Sequence, residues 1–350
     1  MKPTPLVLAT AVLLSACVTK PVTDAAPGNT GTPLPVPTTV SPEAQALLAK
    51  PVDMSVHQLP LPETSEQWLE HIAASNQRFD GWLQAALAGG GVNIEQSTIA
   101  GVTVRTITPD SLPASKAQKV LINLHGGGYT MFSGKYSVIE GLGLARAGNY
   151  KVVAVDYRMP PLHPFPAAVD DGVAVYEALL EQYAAADIGI FGASAGGGLT
   201  AAVIVAARDK GLPLPAAAVL NTPWSDLSKT GDSYYANEGV DPILSSYDGS
   251  LGAMAKLYAG DAGLKHPLVS PVYADYTPGF PPTMLVTGTR DLLLSPTVRL
   301  HRALRAAGVD AELHVFEAMW HGFNTVPEGA IAQAEAVAFF DKALGVGEAR

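Results

Sequence analysis

The chain has 350 residues, 48% of them hydrophobic, and a formal net charge of -10 at pH 7. Its length allows one large domain with a sizeable core, and 22 Lys and Arg against 32 Asp and Glu argue against a nucleic-acid partner. A single cysteine excludes an internal disulfide and a thiolate metal cluster.

That cysteine, Cys17, follows Lys2, an apolar run over residues 6–14 and the small pair Ser15-Ala16. The run is too short to span a bilayer and suits the core of a signal peptide. Leu14-Ser15-Ala16-Cys17 resembles the lipobox of bacterial lipoproteins. The resemblance implies removal of residues 1–16, lipid on Cys17 and a membrane-anchored protein of the cell envelope, facing the periplasm. Residues 17–40, rich in Pro, Thr and Gly, read as a disordered tether, and 41–350 as the folded domain.

Ser41-Pro42-Glu43 opens a helix over 42–48, with proline at the first helical position. A second helical stretch, 65–87, puts Trp68, Ile72, Phe79, Trp82 and Leu83 on one apolar face. Both precede the first strand, so they read either as part of a lid over the sheet or as helices packed outside the core. From Gly91 onward strands and helices alternate. The strands are expected over 97–108, 119–124, 151–156, 187–191, 216–220, 283–287 and 311–316. The helices are expected over 137–147, 168–183, 198–209, 295–307 and 328–344. This is the α/β class, a mostly parallel sheet covered on both faces, whose sites form beyond the carboxyl ends of the strands.

The strand ending at Leu124 runs into His125-Gly126-Gly127-Gly128-Tyr129. Successive glycines let the backbone approach a ligand and aim N–H groups at it, as an oxyanion requires. Gly127 and Gly128 are the expected donors, with Ala195 as the third, and His125 is expected to brace the loop. The strand over 187–191 leads into Gly192-Ala193-Ser194-Ala195-Gly196-Gly197 and then an apolar helix. Strand, Gly-x-Ser-x-Gly and helix make a nucleophile elbow, whose sharp turn tolerates only small neighbours around Ser194. In the chain order Ser, Asp, His, the next candidates are Asp291 and His321, each on a loop after a strand. His57, His71, His163, His301 and His314 are less well placed.

With these motifs stand Asp156-Tyr157-Arg158, His163-Pro164-Phe165-Pro166-Ala167-Ala168 and His321-Gly322-Phe323. Together they resemble the hormone-sensitive-lipase family of esterases, over roughly residues 47–344. The resemblance implies an α/β-hydrolase fold and a cofactor-free serine carboxylic ester hydrolase acting on short to medium acyl esters. It also implies a lid from about 41–90 and 225–262. Two residues depart from the family pattern: Ala193 stands where Asp or Thr is usual, and Leu162 where Glu is usual. The run Asp291-Leu292-Leu293-Leu294-Ser295 is similar to that of the family's lactone hydrolases, so cyclic esters stay open as substrates. Amide hydrolysis and a catalytically inactive binding module are the other readings.

Overall fold

The computed structural model describes residues 34–55 and 60–347. Cys17, the signal segment and His57 lie outside the described residues.

Among the described residues eight strands form one sheet in the order β1-β2-β4-β3-β5-β6-β7-β8. They are β1 Val92–Ile99, β2 Val102–Pro109, β3 Val120–Leu124, β4 Lys151–Val155, β5 Ile188–Ala193, β6 Ala217–Asn221, β7 Thr283–Gly288 and β8 Ala311–Phe316. The six from β3 to β8 run parallel, and β1 and β2 are antiparallel at one edge. The stretch read as one strand over 97–108 is the centre of this hairpin instead. Ala100 and Gly101 take φ of 50° and 84°, the left-handed pair that a two-residue hairpin turn requires.

Among the described residues ten α-helices pack around the sheet: α1 Pro42–Leu48, α2 Ser65–Gln77, α3 Asp80–Ala88, α4 Ile139–Gly148, α5 Ala167–Leu179, α6 Ala195–Asp209, α7 Ser233–Ala236, α8 Ser250–Ala259, α9 Leu294–Ala306 and α10 Pro327–Ala343. The helix expected over 65–87 is two, broken at Arg78-Phe79. All five residues of β3 are buried, because both faces of the sheet are covered. On one face Ile122, Ile190, Leu220 and Leu285 pack with Tyr176 of α5, Val203 of α6 and Leu300 of α9. On the other, Leu121, Val152, Phe191 and Met284 pack with Leu142 of α4 and Phe340 of α10.

The segments expected to form a lid divide. Trp68 of α2 and Met254 and Tyr258 of α8 join the first layer, whereas Ala44 of α1 and Leu83 of α3 join the second. The last residues of the expected tether, 34–40, lie against the body. Thr39 Oγ1 donates to Glu317, Pro35 O accepts from Arg290, and Val40 is buried.

Candidate active site

The elbow is formed as its residues require. Ser194 follows the last residue of β5 and stands at φ 54°, ψ -124°, a conformation that costs a residue with a Cβ roughly 1–3 kcal/mol. Its N–H donates to Asn221 O and its carbonyl accepts from the Trp224 N–H, so both neighbours on the chain side are fixed. The turn passes so close to β3 that a Cβ on Gly196 would lie 1.9 Å from Leu124 O. Only glycine fits there.

Leu124 pairs with Gly192, which sets the glycine loop directly beside the elbow. Gly127 and Gly128 take φ of 98° and 62°. Among the described residues the N–H groups of Gly127, Gly128 and Ala195 donate to no protein acceptor. His125 is buried, stacked on Tyr157 at 4.3 Å, with its Nδ1 at 2.8 Å from Gly126 O. Burial pulls its imidazole down to about 4, so it is neutral and braces the loop. Tyr157 OH donates to His125 O at 2.6 Å. The outer side of the loop is covered: Tyr258 of α8 stacks on Tyr129 at 3.6 Å, and Asn76 of α2 accepts the Phe132 N–H at 2.8 Å.

Asp291, fully buried three residues after β7, meets His321 after β8, with Oδ1 at 3.2 Å from the imidazole Nδ1. Thr287 Oγ1 donates to its Oδ2 at 2.8 Å and the Leu293 N–H to its Oδ1 at 2.8 Å, which fixes the carboxylate plane. Burial lowers the His321 imidazole, but the hydrogen bond and charge of Asp291, with the charges of Asp241 and Glu140, outweigh it. The net shift is upward. Ser194, Asp291 and His321 therefore lie beyond the carboxyl ends of β5, β7 and β8, and a hydrogen bond joins Asp291 to His321. The Ser194 hydroxyl and His321 are not hydrogen-bonded to one another here, and such contacts are commonly looser before substrate binds.

Asp241, which the sequence offers only as the alternative to Asp291 for the acid, sits in the segment between β6 and α8. It is fully buried, and its Oδ2 accepts the Leu292 N–H at 2.9 Å and the His321 N–H at 3.1 Å. Its Oδ1 accepts from Ile243 and Leu244. One carboxylate thus links the acid loop to the base loop. Burial and the nearby Asp291 charge raise its pKa. No motif marks it, because its partners are backbone groups far away in the chain. Of the two departures, Leu162 is 63% exposed, and the neighbouring Arg158 is held instead by Asp171 through its N–H, Nε and Nη2. Ala193 gives its N–H to Glu140.

Comparison with known proteins bears on the fold and on the class of activity. A family model described as the alpha/beta hydrolase fold matches residues 121–325. An acetyl-hydrolase from Streptomyces hygroscopicus is 38% identical over 240 residues, 67% of this chain and 79% of its own length. An esterase from Acinetobacter venetianus is 29% identical over 265 residues, 71% of this chain and 82% of its own. Among solved structures, an esterase crystal structure superposes with a TM-score of 0.84 at 39% identity, over 91% of this chain and 98% of that one. An esterase from the bacterial hormone-sensitive lipase family superposes with a TM-score of 0.74 at 32% identity, over 87% of this chain and 99% of that one.

Proposed function

The chain belongs to the α/β-hydrolase fold, in its hormone-sensitive-lipase family, and is a carboxylic ester hydrolase; from that premise we propose that it works through an acyl-enzyme on Ser194. The Ser194 hydroxyl attacks the ester carbonyl while His321 Nε2 takes its proton. The carbonyl oxygen becomes an oxyanion held by the N–H groups of Gly127, Gly128 and Ala195, with the α6 N-terminus behind them. Collapse breaks the ester bond, and the leaving alkoxide takes the proton from His321. Water then attacks the acyl-enzyme by the same route, releasing the acid and restoring Ser194. Asp291 keeps Nδ1 protonated and offsets the imidazolium charge.

The observation that carries this reading is the strained Ser194 beside free loop N–H groups, on the edge where His321 meets Asp291. Short to medium acyl esters are the proposed substrates. Two points support this: one relative is named an acetyl-hydrolase, and the roof is crowded, since a Cβ on Gly128 would lie 2.7 Å from Met254 Sδ. Lipid attachment at Cys17 and an envelope location belong to the same proposal and rest on the lipobox-like run ending at Cys17. A fluorophosphonate probe followed by peptide mapping tests the centre of it. Label on Ser194 is expected, and an active protein that takes up no label there refutes it. Turnover on p-nitrophenyl esters from acetate to palmitate, with lactones alongside, tests the substrate class.

A further inference from the structure

Glu140 lies near the start of α4, in the layer opposite α6, and has no place in the triad. Its Oε1 accepts the Gly126 N–H at 2.7 Å and its Oε2 accepts the Ala193 N–H at 3.1 Å. Gly126 immediately precedes the two glycine donors, and Ala193 immediately precedes the nucleophile. One carboxylate therefore spans the backbone of the glycine loop and the backbone of the elbow. The three parts are in contact: a Cβ on Gly126 would lie 2.9 Å from Glu140 Oε1, 2.9 Å from Ala193 O and 3.3 Å from Ser194 Cβ. Among the described residues no other side chain hydrogen-bonds to both segments.

Resting on the triad and donors proposed above, we infer that Glu140 is a positioning residue that sets the separation between Ser194 and the oxyanion-binding N–H groups. The chemistry requires a carboxylate. An ionised carboxyl accepts at both oxygens, whereas an amide or a carboxylic acid offers one acceptor and one donor, and a donor cannot face a backbone N–H. A displacement of about 1 Å at such a site costs up to ~10²-fold in rate. Burial pushes the Glu140 carboxyl up to about 7 against the pull of its two N–H partners. The bridge is thus complete above neutrality and is lost as the pH falls through that value. Beside it opens a cavity of about 300 Å³, lined also by Phe191, Asn221 and Gln333. The titratable groups facing Glu140 are His321 and Tyr157, with Asp291 and Asp241 behind the imidazole. Its negative charge is one of the causes that raise His321.

The test is Glu140→Gln in the full chain, assayed on p-nitrophenyl acetate across pH 5–9 beside Glu140→Asp and Ser194→Ala. For Glu140→Gln we expect kcat to fall about 10- to 100-fold with KM within about threefold. The acid limb of kcat/KM should move to lower pH, because His321 loses a negative neighbour. Glu140→Asp keeps the charge on an arm ~1.5 Å shorter, so it reaches one N–H; kcat should fall with the acid limb in place. A folded Glu140→Gln enzyme with native kcat overturns the inference. So does a loss in both variants that tracks melting temperature and KM while the acid limb stays still in Glu140→Gln, since that marks a purely structural role. If Glu140→Gln does not fold, native kcat in Glu140→Asp overturns it. Ser194→Ala separates the two layers of argument. Residual hydrolysis there removes the triad and this inference with it, whereas a dead Ser194→Ala beside a native-like Glu140→Gln removes only the positioning role.

Discussion

At the scale of single residues, two buried carboxylates flank His321 and differ in what they hold. Asp291 meets the imidazole nitrogen, while Asp241 meets the backbone N–H of the same residue. Asp291→Asn should leave the fold intact and lower kcat by roughly 10⁴-fold, because the amide favours the wrong tautomer. Asp241→Asn places an NH₂ against two N–H donors, and both loops lose an acceptor. It should cost roughly 2–3 kcal/mol of stability, with activity falling as the base loop loosens. Thermal melts beside kcat for the two variants distinguish the roles, and equal melting losses in both would contradict this division.

The same neighbours fix a pH dependence. In the proposed mechanism His321 must be neutral to accept the Ser194 proton, and its pKa is raised above the 6.5 of an ordinary imidazole. Activity should rise with pH through an acid limb centred above 6.5, measured as kcat/KM. The stability linkage has the opposite sense. A folded pKa raised above the unfolded one gives stability that is full below the unfolded value and is lost as pH rises through the folded value. Conditions that best stabilise the imidazolium are those in which the base is idle.

At the scale of elements, the site is built where β3 and β5 run side by side and each ends in a turn that permits no larger residue. Gly196→Ala would drive a Cβ into Leu124 O, and neither backbone can yield without breaking the β3–β5 ladder. A loss of at least ~3 kcal/mol is expected, read as a failure to fold or a large drop in the denaturation midpoint. The glycines also explain why this part was legible in advance. A strand, a fixed run of small residues and a helix leave few ways to be read, and Ser194, His125 and the helices on either side fall where the sequence places them. The same holds for His321 and Asp291, whose loops follow apolar strands. The hairpin was less legible, since the polar run Glu95-Gln96-Ser97-Thr98 breaks the alternation of β1 and Ala100-Gly101 is a weak turn signal. The bridging roles of Asp241 and Glu140 were illegible for a different reason. Each acts on backbone N–H groups that only the folded chain brings near, and a carboxylate that bonds to backbone leaves no pattern in sequence.

At the scale of the whole molecule, residues 34–41 run along the catalytic edge before entering α1. They touch Arg290 beside Asp291, Glu317 ahead of His321, and Glu328 at the start of α10. The first described residues thus lie near the loops that carry the proposed acid and base. Among the described residues no helix is long and apolar enough to cross a membrane, and the proposed attachment is through Cys17. Cys17→Ser should move the protein from the membrane fraction to the soluble fraction with kcat on a water-soluble ester unchanged. Radiolabelled palmitate should enter the native chain and not the variant, and an unlabelled native chain would reject the anchor.

The left-handed backbone at Ser194 places reactivity and durability in opposition at one atom. A glycine there would shed roughly 1–3 kcal/mol of conformational strain and forfeit roughly 0.5–1 kcal/mol through the greater freedom of its unfolded chain. Ser194→Gly should therefore yield an inert protein that melts a few degrees higher than the native enzyme, as differential scanning calorimetry would register. A lower melting point would mean that the surrounding turn, rather than the serine, dictates the bend. Selection for thermal endurance alone would favour glycine at position 194, and the proposed nucleophile would be lost with the strain.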